Sequence, residues 1–66
     1  MKKYIVVRVT GSWLAGKGGP GDWYWTRVKY KVIKFDSIES AENARNVCDA
    51  YFKFLPGTTA VREYRK

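Results

Sequence analysis

The run from Trp23 to Phe35, W-Y-W-T-R-V-K-Y-K-V-I-K-F, constrains the fold more than any other stretch of the chain, because it alternates without a Gly or Pro break. Rich in aromatic and β-branched residues, it reads as one long strand. One side carries Tyr24, Thr26, Val28, Tyr30 and Val32; the other carries Trp23, Trp25, Arg27, Lys29, Lys31 and Ile33. A strand that only closed a small core would turn short polar residues to solvent. Two indoles followed by three cations in register point instead to a face that binds a large, anionic partner.

The remainder leaves room for little beside that strand. Sixty-six residues make a single basic domain, 1–66, and a chain of this size buries only about 60% of its unfolded surface. Lys3 to Thr10 reads as a first strand, with Ile5, Val7 and Val9 on one face and Tyr4, Val6 and Arg8 on the other. Gly11 to Asp22 is too long and Gly-rich for a tight hairpin and reads as a mobile loop, with Trp13 and Lys17 on it. Asp36 and Glu39 form a capping-box-like helix start. The helix runs to about Phe54, with an apolar stripe of Ile38, Ala41, Ala44, Val47, Cys48, Tyr51, Phe52 and Leu55, and Leu55-Pro56-Gly57 ends it. Thr58 to Arg65 is the last strand, with Thr59 and Val61 toward the helix and Arg62 and Tyr64 facing out.

This is an α+β fold of order ββαβ. A right-handed crossover places the last strand on the far side of the first, giving a three-stranded sheet of order 2-1-3 with one helix on one face. The open face is then expected to gather Trp23, Trp25, Arg27, Lys29, Lys31, Tyr4, Val6, Arg8, Arg62 and Tyr64.

Charge sharpens the picture. The net charge is +7. Residues 36–55 hold four acids against two bases, while the rest holds eleven bases against two acids, so the domain is expected to be electrostatically two-sided. A lone Cys48 excludes an internal disulfide and, with no histidine, leaves no zinc or soft-metal set. The N-terminal M-K-K-Y-I-V-V-R-V is interrupted by Arg8 before it reaches signal-peptide length, and no stretch is long enough to span a membrane. A cytoplasmic setting follows as the expectation.

Gly11 to Gly18, G-S-W-L-A-G-K-G, matches a phosphate-binding loop in all but its last position. There Gly18 replaces the magnesium-ligating hydroxyl, and a strand instead of a helix follows, so a flexible loop is the preferred reading. Cys48 lacks an activating histidine, and the carboxylates read as helix caps and solvated residues. No catalytic residue, metal or cofactor is expected. Interleaved aromatics and cations fit single-stranded DNA or RNA, where bases stack on rings. They fit a protein target equally, since Trp, Tyr and Arg dominate interfaces. The plainest alternative is that the tryptophans cover neighbours and the lysines protect an edge strand. Trp13 reads either as an anchor for a partner or as a lid on its own domain.

With its long strand, the helix opening D-S-I-E-S-A-E-N-A, an aromatic at Tyr51 or Phe52, the break Pro56-Gly57 and the final strand T-A-V-R-E-Y-R, the chain resembles very small phage host-takeover proteins. That class includes the podovirus early inhibitor of bacterial RNA polymerase, and inhibitors of CRISPR complexes are similar in size. The resemblance implies a non-enzymatic inhibitor that docks on a bacterial protein or nucleoprotein complex, with Arg62 and Arg65 at the contact. The Gly-rich loop and the strong positive charge depart from it. A homodimer covering the open face is the competing use of the same surface.

Overall fold

The computed structural model describes residues 2–17 and 19–65. It is α+β, as expected, but the sheet has four strands: β1 (Lys3–Arg8), β2 (Trp13–Ala15), β3 (Tyr24–Thr26) and β4 (Thr59–Tyr64), in the order β3-β2-β1-β4 and antiparallel throughout. One helix, α1 (Ile38–Phe52), crosses one face and packs on β1 and β4. The last strand does lie beside the first, in a ladder from Lys3↔Tyr64 to Arg8↔Thr59.

The long strand is the main correction. Only Tyr24–Thr26 is a strand; Lys29–Lys31 is a 3-10 turn, and Val32 to Phe35 returns as an extended segment. That segment joins both neighbours: Ile33 N donates to Leu14 O at 3.0 Å, and Phe35 exchanges two bonds with Tyr4. The break starts where Thr26 Oγ1 accepts from Val28 N at 3.0 Å, a local bond that competes with a ladder. The supposed mobile loop meanwhile contributes β2, whose Leu14 and Ala15 are fully buried. Gly18, the position that broke the phosphate-loop pattern, lies outside the described residues.

Gly16 makes the turn after β2. Its φ is +122°, and a Cβ there would sit 2.3 Å from the Asp22 carbonyl oxygen. Gly11 also has positive φ, +98°, but its Cβ would meet nothing. Gly16→Ala is therefore expected to cost about 2–3 kcal/mol and Gly11→Ala about 1 kcal/mol. Chemical denaturation of the two variants checks the difference, and equal losses would count against this turn.

The helix starts one residue later than expected. Ser37, not Asp36, is the N-cap, its Oγ accepting from Ser40 N at 3.1 Å. Asp36 instead pairs with Lys3 at the foot of β1. Lys53 closes the helix in the left-handed conformation, φ 58°, so the helix ends before Pro56 and Gly57. Of the expected stripe, Ala41 and Cys48 are buried and Ala44 and Phe52 half-buried, whereas Ile38, Val47, Tyr51 and Leu55 are exposed.

Candidate functional site

Cross-strand register decides which side chains share a face. Directly opposed residues point the same way, so Val6↔Val61 and Leu14↔Trp25 define one face, and Val7↔Trp13, Trp13↔Thr26 and Ile5↔Arg62 define the other. The helix covers the first. Val6, Leu14 and Cys48 form its fully buried centre, surrounded by Trp23, Trp25, Ile33, Phe35, Phe52 and Phe54.

Five residues expected on the open face, Trp23, Trp25, Tyr4, Val6 and Arg8, are thus placed elsewhere. Trp23 and Trp25 belong to the helix-side core. Trp25 lies 5.9 Å from Phe52 and 5.8 Å from Phe54, ring centre to ring centre, and Phe52 stacks on Phe54. Tyr4 shares that side through its pairing with Phe35 and Glu63. Arg8 closes the cluster, its guanidinium 4.6 Å from the Phe54 ring centre and 5.3 Å from that of Trp25. The alternation of Trp23, Trp25 and Ile33 against Tyr24, Thr26 and Val32 survives at both ends of the broken strand. The helix simply covers the other set, because two indoles bring far more apolar area to a core than Thr and Tyr.

The open face has its own small core. Ile5, Val7 and Val32 are buried there, with Trp13 and Tyr64 packed against them. Over Tyr64 sit two ammonium groups from the broken strand: Lys34 Nζ at 4.9 Å and Lys29 Nζ at 5.4 Å from the ring centre. Arg62, two residues before Tyr64 on the same face, lines an open groove of about 270 Å³ that faces Trp13 across a floor of Val7 and Ala60. Lys29, Lys34 and Arg62 have no carboxylate within 4 Å among the described residues, where the ion pairs are Lys3–Asp36, Arg45–Glu42, Arg45–Asp49 and Arg65–Glu63.

The other expected residues are spread around this face. Arg27 donates to Thr10 O at 3.2 Å, Lys31 is exposed on the 3-10 turn, Lys17 is exposed beyond β2, and Arg65 is exposed beside Glu63. Alternation in the sequence does not single out Lys34 or Tyr30. Tyr30, 77% exposed between two lysines, carries the only available signal: an aromatic in a basic run that no longer needs to be strand. On the opposite side of the domain α1 carries an exposed Glu39, while its Glu42 and Asp49 are both paired with Arg45.

Cys48 is inert. Burial first and the neighbouring Asp49 second push its thiol from 9.0 up to about 11, with Arg8 pulling partly back. Above the unfolded thiol's pKa the unfolded chain binds fewer protons than the native one, so stability falls as pH rises from about 9 to 11. Urea denaturation across that range is expected to show the decline in the wild-type chain and a shallower one in Cys48→Ala. Identical pH profiles would remove the thiol as the cause.

Among the described residues no group of His, Cys, Asp and Glu is arranged to hold a metal ion, and no helix is long and apolar enough to cross a membrane. Fold and surface together define a small α+β domain with one helix-covered face and one basic aromatic face. Comparison with protein-family models, curated proteins and solved structures finds no match to this chain.

Proposed function

We propose that the chain is a non-enzymatic docking protein of phage or mobile-element origin, which binds a bacterial macromolecular machine, such as RNA polymerase or a defence complex, and blocks it. The observation that supports this reading best is the gathering of Lys29, Lys34 and Arg62, without acidic partners among the described residues, around the aromatic groups Tyr64 and Trp13. A plain solubility surface has no reason to hold cations against a ring on an apolar floor. Such a surface steers an acidic protein into place and gives it aromatic contacts to bury.

A second reading, direct nucleic-acid binding, is favoured by Tyr30 alone, an exposed ring flanked by Lys29 and Lys31. Trp23 and Trp25, the rings of the basic run with most area for stacking on bases, pack instead against the helix-side core. Affinity capture from bacterial lysate, with and without nuclease, separates the two. Retention of a protein complex after nuclease treatment is the expected result. Recovery of nucleic acid, with every captured protein lost on digestion, would favour the second reading.

A further inference from the structure

The outer edge of β4 is the longest unpaired stretch of the sheet, and two sets of hydrogen bonds reveal what it presents. On the β4 side, Val9 N donates to Thr58 O at 2.9 Å; on the other side, Tyr4 exchanges bonds with Phe35. Hydrogen-bonded pairs alternate along an antiparallel ladder. Lys3, Ile5 and Val7 therefore bond to Tyr64, Arg62 and Ala60, and the backbone N–H and C=O groups of Thr59, Val61 and Glu63 point away from the sheet. Among the described residues, no backbone hydrogen bond outside the sheet ladder involves residues 60–64. The edge has no proline and runs for six residues, whereas β3 at the opposite edge has three, set between two 3-10 turns.

We propose that this edge receives an extended acidic segment of a protein partner as a fifth strand. The inference rests on the docking face proposed above and names how the partner is held: backbone bonds to Val61 and Glu63 give affinity, and side-chain contacts give selectivity. Charge identifies the occupant. Arg62 projects from the strand itself and Lys29 and Lys34 lie over the adjacent Tyr64, while Arg65, just past the strand's end, pairs with and offsets Glu63. A second copy is the wrong occupant, because it would bring another net charge of +7 to the same line. The groove between Trp13 and Arg62 adjoins the strand and offers an apolar floor to a side chain from the incoming segment.

The chain is short enough for chemical synthesis, so Val61 can be replaced by N-methyl-valine, which removes one outward N–H and blocks strand addition while keeping the side chain. The probe is a peptide of about seven residues alternating Glu and Val; its control has the same length and charge with a central Pro. In the free protein the Val61 and Glu63 amides are expected to exchange at least about tenfold faster than those of Arg62 and Tyr64, and to become protected when the probe is added. N-methylation should weaken the probe about tenfold or more with the thermal midpoint unchanged. Equal binding of the Pro control, or of the probe to the N-methylated chain, overturns strand addition and leaves the docking face standing. Failure of both peptides and of polyglutamate at about 50 mM salt overturns both. Protection of Val61 in the free protein that grows with concentration assigns the edge to a second copy, and overturns the proposal as well.

Discussion

Trp25→Ala is expected to cost about 3–5 kcal/mol, enough to leave a domain of this size largely unfolded at 25 °C. The indole touches the rings of Phe52 and Phe54 from β3, packs on the fully buried Val6, Leu14 and Cys48, and carries the Arg8 guanidinium. Its removal opens a cavity at the join between the helix end and the sheet and strips a half-buried cation of its aromatic partner. Trp25→Phe separates this role from any at a surface. Its ring keeps the packing, and it deletes an indole N–H that is buried and meets no hydrogen-bond partner within the protein. The Phe variant is therefore expected to stay within about 1–2 kcal/mol of wild type. Circular dichroism during thermal and urea unfolding checks both, and a folded, stable Ala variant would remove Trp25 from the core.

Reversing the open face should do the opposite. Lys29→Glu, Lys34→Glu and Arg62→Glu combined are expected to leave the fold in place, because all three side chains are exposed and none has a carboxylate partner within 4 Å among the described residues. Surface changes of this kind usually shift stability by about 0.5 kcal/mol or less each. Binding to the partner captured from lysate should fall about 100-fold or more. The loss should lie mainly in the association rate and be largest at low salt, where steering by unscreened charge is strongest. Interferometry at two salt concentrations reads both quantities. Unchanged binding by the triple variant would place the docking surface elsewhere on the domain.

These two expectations exchange the roles that a reading of the sequence assigns to Trp25 and to the last strand's neighbours. Alternation along Trp23 to Phe35 identifies two sets of side chains correctly at both ends, yet alternation is symmetric: it says which residues share a face and not which face the helix will cover. β1 gives no help, since Ile5 and Val7 on one side and Val6 on the other are all apolar and all buried. Choosing the face that buries Ile5 and Val7 under the helix sends both indoles to solvent. The fold resolves this by putting Trp25 beside Phe52 and Phe54, residues about thirty positions away whose proximity no local pattern announces, and packing Trp23 on the same cluster.

Local chemistry, in contrast, was readable directly. A single helix followed by a Pro-Gly break, a basic final strand adjacent to the first, the concentration of acids on the helix and the placement of Thr59 and Val61 toward it all depend on spacing and composition over a few residues. The outward placement of Arg62 and Tyr64 belongs with them. What tertiary structure alone decided is where the partly formed strand breaks, so that Lys29 and Lys34 meet Tyr64, and where the glycine-rich stretch supplies β2. Strand pairing and the choice of a buried face are settled by long-range contacts whose free energy exceeds local propensity, and a basic surface bearing Tyr64 and Trp13 is what remains once Trp23 and Trp25 have gone inside.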